Sequence, residues 1–133
     1  MLDNRMGSSN TAIGVNTLKA NSEGNENTIT GKDGMLSNTT GSRNTAIGNL
    51  SLEQNKANNE STAVGYQAMR YADNRTTGRI TYNTAIGFEA LMGSTTASAN
   101  TGQYNSSLGH HAMLNNTSGS HNTAIGSDAM LNN

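Results

Sequence analysis

The chain of 133 residues contains no cysteine, no proline and no tryptophan, a single phenylalanine and only 13% charged residues. Without cysteine there is no disulfide, no thiolate nucleophile and no thiolate metal ligand. A formal charge of −1 gives no basic footprint for nucleic acid. Nothing approaches the roughly 20 apolar residues of a membrane span. The opening segment MLDNRMGSSN lacks the apolar run of a secretory signal. Apolar residues total 32% while Asn, Thr, Ser and Gly dominate. In an aperiodic chain that balance argues for disorder.

This chain is periodic. The pentapeptide Asn-Thr-Ala-Ile-Gly occurs at 10–14, 44–48, 83–87 and 122–126, with variants ending at Gly31, Gly65 and Gly109. Aligned on these glycines, the copies are spaced 17, 17, 17, 22, 22 and 17 residues apart. Catalytic motifs are needed once, whereas repetition of this kind builds architecture.

Each column of the repeat has its own chemistry. Before the anchor glycine runs Ile13, Thr30, Ile47, Val64, Ile86, Leu108, Ile125; four after it runs Leu18, Met35, Leu52, Met69, Leu91, Met113, Met130. Apart from Thr30, these two apolar rows are the expected core. Two before the anchor stand Ala12, Ala46, Ala63, Ala85 and Ala124, with Ile29 and Ser107 in the other rungs. Seven before it stand Gly7, Gly24, Gly41, Asn58, Ile80, Gly102 and Gly119, which predicts a corner with φ > 0. At Ile80, Gly78 is placed to take that corner over.

A 17-residue unit is too short for a helix pair and suits one turn of an all-β parallel solenoid of about seven rungs, two of them 22 residues long. Side chains alternate along a strand, so Thr and Ile share one face and Ala takes the other. The Leu/Met row is assigned to a second short strand. Residues 1–9 read as a lead-in and 10–131 as a single repeat domain, with inserted loops at 70–82 and 92–104. No capping helix follows Met130, so the rod is expected to continue through another copy or another fibre protein.

Strings such as NTAIGFEALMGSTT and LNNTSGSHNTAIGSDAMLNN resemble the head repeats of YadA-like trimeric autotransporter adhesins and similar repeats of bacteriophage tail fibres and spikes. The resemblance spans about residues 8–131. It implies a left-handed parallel β-roll assembled as a parallel homotrimer, in which Ala12, Ala46, Ala63, Ala85 and Ala124 face a neighbouring chain. It also implies an extracellular place on a virion or cell surface, with attachment and display as the role. Ile29 and Thr30 depart from the pattern, and these 133 residues carry no segment resembling the family's anchor domain or coiled-coil stalk.

No paired carboxylates, activated nucleophile or phosphate-binding fingerprint stands out, so no enzymatic activity, cofactor or metal is expected. His110 and His111 could join His121 around a metal only if a turn brought them together, since strand neighbours point apart. The column Asp33, Leu50, Gln67, Glu89, His111, Asp128 reads as a mixed solvated edge. Two other columns are expected to stack by rung: Glu26, Arg43, Glu60, Tyr82, Tyr104, His121, and Tyr66, Phe88, His110. The inserted loops are the local departure from the repeat. Arg70, Tyr71, Asp73, Arg75 and Arg79, with Tyr82 and Tyr104, are candidate contacts to a glycan or receptor, or alternatively an interchain clasp. A fibre or adhesin segment is the leading functional expectation. A filament subunit stacking head to tail is the alternative, and an ice-binding solenoid carried by the threonine row is a third.

Overall fold

Each copy of the pentapeptide supplies one three-residue strand, and seven such strands form one parallel sheet in strict chain order. They are β1 (Thr11–Ile13), β2 (Thr28–Thr30), β3 (Thr45–Ile47), β4 (Thr62–Val64), β5 (Thr84–Ile86), β6 (Ser106–Leu108) and β7 (Thr123–Ile125). This is a computed structural model, and it describes residues 6–132. Pairing is column on column throughout, for example Thr45 on Thr62, Ala46 on Ala63 and Ile47 on Val64. The all-β parallel solenoid expected from the period is the fold. Residues 1–5 of the expected lead-in lie outside the described residues, while Met6 and Gly7 already donate to Ser22 O of the next rung. No helix among the described residues is long and apolar enough to cross a membrane.

The wall opposite the sheet is made of turns, which replace the second strand expected from sequence. Its backbone is left-handed at two positions per rung: two and four residues after the anchor, φ lies between 45° and 61° at every copy from Asn16 to Met130. These residues direct their N–H groups in opposite axial directions. Asp33 N–H donates back to Val15 O at 2.9 Å and Met35 N–H donates forward to Ser51 O at 3.0 Å. Left-handed backbone costs roughly 1–2 kcal/mol per non-glycine residue. A rung is therefore unstable alone and holds its shape only between hydrogen-bonded neighbours.

The anchor glycines answer why the pentapeptide always ends as it does. Gly48 has φ 127°, and a Cβ there would lie 2.3 Å from Gly65 O of the next rung. The other glycine column has a different cause. Its members do not show the expected positive φ; instead a Cβ on Gly24 would lie 2.3 Å from Gly41 O and 2.4 Å from Asn21 Oδ1. Gly78 does replace Ile80 in this respect, since its Cβ would meet Ala57 O at 2.5 Å.

The leading asparagine of the motif is the staple between rungs. Asn27 Oδ1 accepts from Asn44 N–H at 2.9 Å, while Asn27 Nδ2 donates to Gly41 O at 2.8 Å. The same pair of bonds recurs at Asn10, Asn44 and Asn105. A second buried column, Asn21, Asn38 and Asn55, is joined side chain to side chain. It stops where Ala72 occupies the next position, and Asn55 Oδ1 is left buried without a partner.

The two faces of the strands are reversed relative to the sequence expectation. Ala46, Ala63 and Ala85 are fully buried inside the chain and Ala124 nearly so, with Ala12 packed at the edge of the same cluster. Ile13, Ile47, Ile86, Leu108 and Ile125 are 40–71% exposed, and Val64 is half-buried. The Leu/Met row is buried as expected from Leu18 through Met113, but Met130, in the rung of the end strand β7, is exposed. The physical reason is volume. Once a Leu or Met fills each rung, the facing strand has room for an alanine and no more.

The second rung demonstrates this limit. Ile29 stands at the alanine position and is fully buried, and the residue facing it is Gly34, where three other rungs have buried Ala68, Ala90 and Ala112. A methyl on Gly34 would lie 2.6 Å from Ile29 Cγ2. In the sixth rung Ser107 takes the alanine position and satisfies its hydroxyl on Ala112 O at 2.7 Å. Gly34→Ala is expected to cost about 1–3 kcal/mol by overpacking, and Ile29→Ala about 2–5 kcal/mol by cavity formation. The double variant recreates the Ala/Ala pair of the fourth rung and is expected to recover much of the loss. Strictly additive losses in denaturant titrations would refute the compensation.

Candidate functional site

The two insertions leave the repeat on consecutive rungs and return without disturbing its phase. The first rejoins where Asn59 N–H donates to Arg79 O and Thr81 N–H to Asn59 O. The second leaves at Gly93, forms a short 3-10 turn at Ala97–Ala99 and rejoins at Thr101, whose N–H donates to Thr117 O. Asn100 folds the second loop onto the first: its side-chain amide donates to Ser94 O and Tyr71 O, and its Oδ1 accepts from Ser94 N–H.

Asp73 is the hub of this region. Its side chain is 1% exposed. Its carboxylate accepts from Arg75 Nε at 2.8 Å, and from Arg79 Nε at 3.1 Å. The Arg79 guanidinium continues to Thr101 O at 2.6 Å and Asn100 O at 3.2 Å, so it bridges both insertions. Burial pushes the Asp73 carboxyl upward, but the Arg75 hydrogen bonds and the two guanidinium charges outweigh it and hold the group below the usual carboxylate range. Beneath lies a cavity of about 30 Å³, lined by Asn58, Ser61, Asp73, Arg79, Thr81 and Asn83 among others. It has room for a few water molecules. Asn58 Oδ1, on its wall, is buried without a partner.

The other loop candidates are distributed rather than gathered. Arg70 turns down the rod to Glu53, Nε to Oε2 at 2.9 Å, with its guanidinium carbon 5.0 Å from the Tyr71 ring centre. Glu53 was not singled out from the sequence, though it lies 17 residues before Arg70 in the same column. Tyr82 and Tyr104 stand outside this cluster in a ring ladder with His121, centroids 5.2 and 4.7 Å apart. Tyr66, Phe88 and His110 form a second ladder at 5.1 and 5.4 Å. Arg43 and Glu60 pair at 2.6 Å in the expected alternating column, and the Glu60 carboxylate raises both the Arg43 guanidinium and the Tyr82 phenol above their ordinary values. The ladders expected from the columns are thus present on the surface.

His110 and His111 lie in a turn instead of a strand. His111 has φ 55°, and the two ring centroids are 3.7 Å apart, so the pair does not point to opposite sides. His121 is remote from them in role, stacked on Tyr104. The partner that sequence reading missed is Asp128, one rung on from His111.

Comparisons with protein-family models, with curated proteins and with solved structures find no match to this chain.

Asp73→Asn is expected to lower stability at neutral pH by about 1–3 kcal/mol, since it leaves two guanidinium groups without their acceptor charge. The sign of the pH dependence follows from the depressed carboxyl: its contribution is full above the unfolded-state value near 3.9 and fades as pH falls through the lower folded value. Thermal melting of both proteins from pH 7 to pH 2 is expected to show their difference shrinking below about pH 4. A constant difference across that range would contradict the role given to Asp73.

Proposed function

We propose that the chain is a non-enzymatic structural segment of a fibre or surface adhesin, assembled from parallel copies packed on the outer face of the sheet. The observation that carries this reading is the apolar row Ile13, Ile47, Val64, Ile86, Leu108 and Ile125, exposed except for the half-buried Val64, interrupted only by Thr30 and running from β1 to β7. Val15, Tyr66 and Phe88 widen it. Apolar stripes of this extent mark association surfaces. A surface repeating every rung is best matched by another with the same rise, and cyclic symmetry about an axis along the rod supplies one, bringing Ile47 against Ile47 of each copy. The resemblance to trimeric adhesin heads supports three copies as the number. It also supports an extracellular setting on a virion or cell surface, where the insertions and ring ladders are displayed toward a glycan or receptor.

The reversed strand faces make the test specific. Ile47→Asp together with Ile86→Asp is expected to leave the circular dichroism of the fold in place while converting the assembly to single chains, as read by sedimentation or light scattering. Ala46→Arg, which forces a cation into the closed interior, is expected to prevent folding. A wild-type chain that sediments as a monomer, or an Ile variant with unchanged mass, would refute the association surface.

A second reading uses the same face. Thr11, Thr28, Thr45, Thr62, Thr84, Ser106 and Thr123 lie beside the apolar row on the outer side of the sheet, and this regular array is also a surface suited to ordered water. It requires the face to stay open in solution. A monomer showing thermal hysteresis would favour it over the fibre.

A further inference from the structure

The last two rungs bring three metal-ligating side chains together on the turn wall. One ligand atom each from His110, His111 and Asp128 lies within 4.8 Å of the others. His111 Nδ1 is 3.3 Å from Asp128 Oδ1, and His110 Nδ1 is 4.0 Å from the same oxygen. Two tetrahedral ligands held about 2.0–2.1 Å from one ion stand roughly 3.3 Å apart. The first pair already has that spacing. The second reaches it by a small rotation of half-exposed side chains, 52% and 57% accessible.

The other nitrogen of His111 strengthens the case. Glu89 Oε2, one rung back in the column, lies 3.1 Å from His111 Nε2. A neutral imidazole carries one N–H, so it can donate to Glu89 or to Asp128 but not to both. With Nε2 donating to Glu89, the Nδ1 lone pair is directed toward Asp128 Oδ1, where the two can ligate one ion. A carboxylate behind the remote nitrogen is also the arrangement that orients a metal-bound histidine and raises its basicity.

We propose that His110, His111 and Asp128 bind one divalent first-row transition-metal ion, with Glu89 as the residue that positions His111. Two imidazoles select zinc and its neighbours over magnesium and calcium, which take oxygen ligands. Three protein ligands leave a position for water or for a group from another chain. The ion ties the seventh rung, which has a neighbour on one side only, to the sixth. The proposal is independent of the fibre reading, since all the residues belong to one chain.

The test uses the full chain without a polyhistidine tag, stripped with chelator and then titrated with zinc chloride by calorimetry. Cobalt(II) absorption serves as a second readout of histidine ligation. One zinc per chain is expected, with a melting temperature that rises on addition and falls back with chelator. His111→Ala is expected to abolish binding and the melting shift, and Glu89→Gln to weaken binding about 10- to 100-fold. Should His111→Ala fail to fold, the exposed His110→Ala serves in its place, with the same loss of cobalt absorption expected. Absence of saturable zinc binding, unchanged affinity in the histidine variants, or equally tight calcium binding would each overturn the proposal.

Discussion

Everything in this rod depends on a narrow interior whose backbone groups are satisfied mostly by the neighbouring rungs. No rung has a second layer of its own to close against. Each rung from the first to the sixth contributes one buried Leu or Met, with small residues beside it except for Ile29 in the second, and most backbone groups bond along the axis. The asparagine of the motif completes the circuit, accepting from one strand entry and donating to a carbonyl of the same neighbouring rung. A single such turn buries too little to offset chain ordering and left-handed backbone, which makes neighbour contact the source of stability.

That constraint explains what could and could not be read from the letters. The period, the register, the two insertions and the stacked columns follow from counting residues between glycines. The direction of the faces does not, because hydrophobicity ranks Ile above Ala whereas the interior selects by volume. Ile47 and Ala46 are therefore exchanged between outside and inside. The clue was present in the second rung, where Ile29 at an alanine position coincides with Gly34 across the interior, but its meaning requires knowing that the two columns touch. The glycines seven before the anchor mislead in a related way: a close carbonyl excludes a side chain there as firmly as an unusual φ does. As strand neighbours His110 and His111 would point apart; the left-handed turn at His111 places them together with Asp128.

The insertions show how a repeat absorbs irregularity. In the two rungs that carry the insertions, Ala72 and Ser94 stand where the second buried column has asparagine, and Asn55 is left with an unsatisfied oxygen. The buried carboxylate of Asp73 and the guanidinium of Arg79 then supply local cohesion that the repeat no longer provides. The polar cluster is costly to bury, and it is tolerated because both arginine partners reach it from the loop itself.

The axial direction of the hydrogen bonds also sets how the rod carries force. A pull applied from one end to the other loads the bonds between two rungs together, as the fibres of a rope share a weight. A sideways pull on the 70–82 loop meets its contacts one after another, as in peeling tape. A segment of this design resists stretching along its length far better than it resists being stripped from its edge.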